Sequence, residues 1–215
     1  MTESSYRWVL WLLALLGLAL DQGSKYGVFY CLYQNSQVGE QPIIPGAFNL
    51  LAQYTHYPIA GDGFLDRLRA VSCDYWPVVN RGALFGLANE RNIPPPVNTL
   101  SNLVFTWVSL AAAIAIAAWS LRRTLARDWL LCSALGLILG GTLGNLYDRV
   151  VFNGVRDFLH WFYGFNWPVF NIADSCLVVG AFLLLTQALF ARPAPSETAP
   201  EQPAQEVAEA GEQAV

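Results

Sequence analysis

Five ionisable side chains crowd into "GNLYDRVVFNGVRDFLHW", residues 144–161: Asp148, Arg149, Arg156, Asp157 and His160. A sixth, Asp174 in "FNIADSCLVVG", lies about one helical turn inside an apolar run, where a carboxylate costs about 2.5 to 3.5 kcal/mol to insert. No Lys or Arg occurs from Trp161 to Ala191, so Asp174 needs a partner from another segment, and the charged stretch is the nearest source. Two carboxylates sharing a poorly hydrated site cannot both ionise easily, so one keeps its proton while the other stays charged. That makes an acid and a base at neutral pH. The carboxylate takes a proton from water and the acid donates to a carbonyl oxygen or leaving amine, which is hydrolysis without a metal or covalent intermediate.

Other chemistries are poorly provided for. There is no Gly-x-Ser-x-Gly elbow, His160 reads as an interfacial residue beside Trp161, and His56 reads as a surface residue. Two histidines and four scattered cysteines give no metal-ligand spacing, so neither metal nor cofactor is expected. Cys132 and Cys176 fall inside apolar runs and read as small core residues. Cys31 and Cys73 fall on the same side of the membrane, where a disulfide is chemically permitted, and their pairing stays open.

The elements that must position these groups are membrane helices. Hydrophobic residues make up 54% of the 215 and charged ones 13%, against roughly 25% charged in a soluble domain. Four stretches, near 8–28, 97–121, 129–147 and 171–191, approach the roughly 20 apolar residues that a span requires. The first lacks a small-residue cleavage site and runs on through Asp21 and Lys25, so an uncleaved helix is expected rather than a secretory signal. Arg122, Arg123 and Arg127 crowd the loop between the second and third spans, which places that loop and both termini in the cytoplasm. Segments 29–96 and 148–170 then lie outside. Within the first of them, "AFNLLAQY" and "WPVVNRGALF" read as strands of a small sheet on the membrane surface. The expected fold is an all-α integral membrane protein with four transmembrane helices and a small β-rich extracytoplasmic cradle. It forms one domain over residues 1–191, and the Pro-, Ala- and Glu-rich tail 192–215 is expected to be disordered. The net charge of −4 reflects that tail and brings no basic patch, which excludes nucleic acid as a partner.

Spacing assigns further polar residues. Asp21 and Lys25, four apart, share one helix face and read as an ion pair holding the first helix to its neighbours. Gly136, Gly140 and Gly144 form a groove of small residues along the third span. Four residues on, that face reaches Asp148, with Asn145 beside it. For Asp148 and Arg149 a structural or substrate-orienting role is expected. Asn171 shares a helix face with Asp174.

By these residues the chain resembles the lipoprotein signal peptidases, the signal peptidase II family of intramembrane aspartyl proteases. "DQGSK" (21–25), "IIPGAFNL" (43–50), "VVNRGALFG" (78–86), "GNLYDR", "GVRDF" and "FNIADS" occur in that family's order over most of residues 8–190. The resemblance implies that Asp157 and Asp174 form the catalytic dyad. It also implies that Asn80, Asn145, Arg149 and Asn171 orient the substrate backbone or the dyad, while Asp21, Lys25, Gly82 and Asp148 support the site. The implied substrates are diacylglyceryl-modified prolipoproteins, cut just before the lipid-bearing Cys in the bacterial inner membrane. Membrane lipids are the other expected partners, and a monomer is the expected state. Two departures stand out: about 25 additional residues near 52–75, and Arg156 where an apolar residue is more usual before the dyad Asp. If Arg156 turned inward it would lower the pKa of Asp157. The alternative is a non-catalytic membrane protein, a proton-coupled transporter or a lipid- or lipoprotein-binding partner using the same Asp residues. The absence of an inverted repeat weighs against the transporter.

Overall fold

The computed structural model describes residues 5–35, 38–82, 95–122 and 125–190. The tail from 192, residues 83–85 at the end of the expected second strand, and Gly86 lie outside the described residues. Five helices and four strands follow one another as α1 (Arg7–Asn35), β1 (Val38–Ile44), β2 (Phe48–Pro58), α2 (Phe64–Ala70), β3 (Tyr75–Pro77), α3 (Leu100–Ser120), α4 (Trp129–Phe152), β4 (Leu159–Trp161) and α5 (Ile172–Phe190).

Three of the helices, α3, α4 and α5, are long and apolar enough to cross a membrane. α1 is longer still, but Asp21, Gln22, Ser24 and Lys25 dilute its apolar character and it is not among the three. α3 and α4 begin on side-chain caps. Thr99 accepts from Asn102 N at 3.3 Å to start α3, and Asp128 accepts from Leu131 N at 2.9 Å to start α4. α4 is the central helix, flanked by α1, α3 and α5, whereas α3 and α5 expose large apolar side chains such as Trp107, Ile114, Phe182 and Leu185. Outward-facing apolar side chains of this kind suit a lipid surround.

The glycine groove is where α1 lies. A Cβ added to Gly136 would stand 2.6 Å from Leu10 O, one on Gly140 2.8 Å from Ala14 O, and one on Gly144 2.5 Å from an Asp21 carboxylate oxygen. Gly140→Leu is therefore expected to push the two backbones apart and cost about 1 to 3 kcal/mol or more. The measurement is thermal unfolding in detergent, with Gly23→Ala, where nothing lies within 4 Å, as the neutral comparison.

One end of the bundle is tied by Tyr6 N donating to Ala126 O (2.7 Å) and Arg7 Nη2 donating to Leu121 O (2.6 Å). The sheet sits at the opposite end. β1 and β2 form an antiparallel hairpin from Val38↔Gln53 to Ile44↔Phe48, turning at Gly46 with φ of 78°. β4 pairs with β2 at Phe48–Leu50, and β3 pairs further along it at Tyr54 and Pro58. Phe29 and Leu32 of α1 pack beneath this sheet with Ala52 and Phe158, so the sheet is fixed to the bundle by its own core.

The expected boundaries shift in three places. α1 continues to Asn35, well into the segment read as extramembrane. β2 continues through Pro58, so the additional residues begin as sheet rather than as a loop and then fold into α2. Among the described residues of the expected strand "WPVVNRGALF", regular strand covers only its start, within Tyr75–Pro77, after which Asn80 makes a single bridge to Val155. Cys31 is exposed, Cys73 is buried, and both are free thiols.

Candidate active site

Two local devices deliver the two carboxylates. α4 ends at Asn153, whose φ of 57° and ψ of 33° form the left-handed cap that Asn tolerates, and the chain then turns back across the bundle end. Gly154 makes that return possible, because a Cβ there would stand 2.6 Å from Val79 Cγ2. Val155 and Asn80 exchange backbone hydrogen bonds of 2.8 and 2.7 Å, and Phe158 N donates to Phe170 O at 3.0 Å. Asp157 is held between these two anchors. Asp174 is set by the start of α5: its N–H donates to Asn171 Oδ1 (3.0 Å), and Asn171 N donates back to Asp174 Oδ2 (3.2 Å). This reciprocal capping pair places a carboxylate at the positive end of the helix dipole.

Side-chain amides then join the two. Asn171 Nδ2 donates to Asp157 Oδ1 at 2.7 Å, and Asn80 Nδ2 donates to Asp157 Oδ2 at 3.1 Å. Asn145 Nδ2 donates to Asp174 Oδ1 at 2.8 Å, while its own Oδ1 accepts from Asn171 Nδ2 (3.3 Å) and Lys25 Nζ (3.2 Å). Gly82 N donates to Asn80 Oδ1 at 3.1 Å, which fixes the orientation of that amide. Both Asp157 and Asp174 stay partly exposed at the bundle end. Burial, and next the charge of Asp174, push the Asp157 carboxyl up to about 7 against the opposing amide bonds.

A charged layer lies beneath. Lys25 Nζ is 2.8 Å from Asp21 Oδ2 and 3.4 Å from Asp148 Oδ2, with all three side chains fully buried. Asp21 Oδ1 accepts from Ala173 N (2.9 Å), tying α1 to the first turn of α5. Arg149 exchanges hydrogen bonds with Asn102, Nη1 to Oδ1 at 3.2 Å and Nδ2 to the Arg149 carbonyl at 3.1 Å. Its guanidinium lies over the Phe105 ring and is near enough to Asp157 and Asp174 to interact with both charges. Among the described residues, no group of three or more His, Cys, Asp or Glu is placed to hold a metal ion.

Asp157, Asp174, Asn80, Asn145 and Asn171 thus converge on one site, with Gly82, Asp21, Lys25, Asp148 and Arg149 around or beneath it. His160 stays apart, in β4, with Nε2 2.8 Å from Asn166 Oδ1. Arg156 does not turn toward Asp157. Its guanidinium pairs instead with Asp148, Nη2 to Oδ1 at 2.9 Å and Nε to Oδ2 at 3.2 Å, because Asp148 offers a buried acceptor for both. Sequence reasoning missed Gln22, whose amide bridges Asp21, the Gly144 carbonyl, Asp148 and Arg156. It also missed Asn102, although an amide in the apolar run of α3 was the signal that a buried partner existed.

Fold and site define a helical membrane protein with a paired-carboxylate centre at one end of its bundle. The chain belongs to the signal peptidase II family, whose model matches residues 13–190, and it is accordingly a peptidase. It is 33% identical over 199 residues to the lipoprotein signal peptidase of Nitratidesulfovibrio vulgaris (strain DP4), covering 91% of this chain and 96% of the relative. It is 47% identical over 180 residues to that of Methylocella silvestris (strain DSM 15510 / CIP 108128 / LMG 27833 / NCIMB 13906 / BL2), covering 83% and 84%. The fold is similar to a solved bacterial membrane enzyme determined by the in meso method at 2.3 Å resolution, with a TM-score of 0.62, 22% identity and coverage of 88% and 92%.

Proposed function

We propose that the protein removes signal peptides from diacylglyceryl-modified prolipoproteins, cleaving before the lipid-bearing Cys by water activated between Asp157 and Asp174. The observation that carries this reading is Asn171, which donates to Asp157 through its side chain and caps Asp174 through the reciprocal pair, so one residue holds both carboxylates in register. Asp157, raised to about 7, still holds its proton in a large share of molecules at neutral pH and is the acid. Asp174, surrounded by donors from Asn145 and Asn171, is the base.

The reaction follows from those roles. A water between the carboxyl groups loses a proton to Asp174 as its oxygen attacks the scissile carbonyl carbon, while Asp157 protonates the carbonyl oxygen. The tetrahedral diol then collapses: Asp157 recovers a proton from a diol hydroxyl, Asp174 gives its proton to the nitrogen, and the C–N bond breaks. Arg149, near both carboxylates, and Asn80 are positioned to orient the peptide backbone. α1 is the fourth span in this reading, with Asp21 and Lys25 buried against α4 and α5 rather than facing lipid. Both termini are cytoplasmic, and the sheet cradles the extended peptide at the extracytoplasmic surface. A substrate already anchored by its signal helix and acyl chains enters laterally from the bilayer.

The test is release of signal peptide from a diacylglyceryl-modified prolipoprotein by the purified protein and by Asp157→Asn and Asp174→Asn. A binding or transport protein would release none. The titration of Asp157 also sets a pH dependence. As pH rises through about 7 the acid ionises and two carboxylates remain, so kcat is expected to fall on the alkaline side with a midpoint near there. A kcat that stays level from neutral pH to well above it would remove Asp157 as the acid.

A further inference from the structure

We infer that Arg156, covered by Arg69, Ser72 and Cys73 of the additional segment near 52–75, is a positioning residue that sets the catalytic carboxyl of Asp157 by clamping the peptide before it onto Asp148. This rests on the dyad reading above. The Arg156 backbone N–H donates to Asp148 Oδ2 at 2.9 Å, and its guanidinium binds both oxygens of the same carboxylate and Gln22 Oε1 at 3.0 Å. Main chain and side chain of one residue thus converge on one acceptor, which fixes the 155–156 peptide and the Arg156 backbone from which Asp157 follows. A bidentate guanidinium carries geometric specificity as well as charge.

The clamp is dry and covered. Arg156 is 1% exposed, and its charge lies 4.2 Å from the Tyr26 ring centroid and 4.0 Å from that of Phe152. The narrow gap that separates it from Arg69, Ser72 and Cys73 of the additional segment has no room for a water molecule. Ser72 Oγ and Arg156 Nη1, both buried, have no hydrogen-bond partner among the described residues. The segment is fastened over this gap by Arg69 Nε donating to Val151 O at 2.5 Å, in the last turn of α4, and by Tyr26 Oη donating to Leu68 O at 3.1 Å. Excluding water strengthens the Arg156–Asp148 pair. Of the four buried charges here, Asp21 and Asp148 balance Lys25 and Arg156, so the clamp leaves no net charge.

The experiment uses the full chain in lipid nanodiscs, with Arg156→Met, Arg156→Lys and the charge-neutral pair Asp148→Asn/Arg156→Met. Signal-peptide release from a diacylglyceryl-modified prolipoprotein is read together with amide exchange. Misplacing a reacting group by about 1 Å costs about 100-fold, so kcat should fall about 10- to 100-fold with KM little changed. Exchange should quicken by about tenfold in peptides covering 153–158 while the helices stay protected. Water admitted beside Asp157 should also move the alkaline limb of the pH profile to lower pH. Arg156→Lys should restore little of the rate, since an ammonium cannot span both carboxylate oxygens. Wild-type kcat and exchange in Arg156→Met would overturn the inference. If that variant loses its helix protection, full kcat in the neutral pair would overturn it instead. Changed exchange at 153–158 in a wild type that cleaves nothing would support the clamp and sink the proposed function.

Discussion

Asp157→Asn and Asp174→Asn are each expected to lower signal-peptide release by about 10³-fold, the scale of a lost general acid or base. An amide at position 157 still offers one oxygen, to Asn171 or to Asn80, with its NH2 toward the other, so one anchor survives while the proton donor is gone. At position 174 the amide cannot take a proton from water, and its NH2 group also faces the donors that the carboxylate now accepts. Neither change breaks a buried ion pair. Asp157 carries a burden from burial and from its neighbour's charge, and its neutralisation is expected to leave thermal stability unchanged or slightly raised. Both quantities are measured on the same preparations. A residual rate within about tenfold of wild type in either folded variant is more than a missing acid or base allows, and would discard the dyad.

Lys25→Met is expected to act on the fold instead. Lys25 sits between Asp21 and Asp148, and Asp148 shares its other ion pair with Arg156. Losing the ammonium strands a buried negative charge, a defect worth about 3 to 5 kcal/mol. Because Asp21 also caps the first turn of α5 through Ala173 N, α1 and α5 should loosen together and carry Asp174 with them. The measurement is thermal unfolding and the yield of monodisperse protein. Lys25→Met/Asp21→Asn restores neutrality and should recover part of the loss. A Lys25→Met protein with wild-type stability would show that the quartet does not hold the helices.

The two predictions separate chemistry from scaffold because the charges lie in two layers. The upper layer is exposed enough to meet substrate and is held by neutral amides, which fix geometry without cancelling the carboxylates. In the lower layer Asp21, Lys25, Asp148 and Arg156 are buried and pair to no net charge. Placing Arg or Lys directly on either upper carboxylate would favour its ionised form and remove the acid. Arg156 lies next to Asp157 in sequence, and its pairing with Asp148 avoids that outcome.

Several features were legible in the residues alone. The apolar runs that became α3, α4 and α5 are written in composition, since nothing but a helix satisfies its backbone in hydrocarbon. The groove at Gly136, Gly140 and Gly144 and the pairing of Asp21 with Lys25 follow from helix periodicity, which repeats neighbours at every fourth residue. The isolation of Asp174 in a run without Lys or Arg pointed across the chain to Asp157. Such features are local, or they state what a residue lacks.

Tertiary structure alone decided the rest, because it concerns which of several eligible partners a side chain meets. Arg156 had Asp157 beside it in sequence and Asp148 eight residues away. The left-handed turn at Asn153 and the backbone bonds of Val155 to Asn80 point it at Asp148, and no periodicity encodes that. Asn102 and Gln22 were likewise anonymous amides until α3 and α1 docked on α4. The additional residues had no element assigned in the sequence, yet their first part extends β2 and their later part forms α2 and enters β3, because strand pairing depends on a partner distant in the chain. Sequence determined which groups are available for acid–base chemistry and which segments suit a membrane. Only the folded chain determined which carboxylates lie among amides and which among cations, since that depends on distances that a linear pattern does not carry.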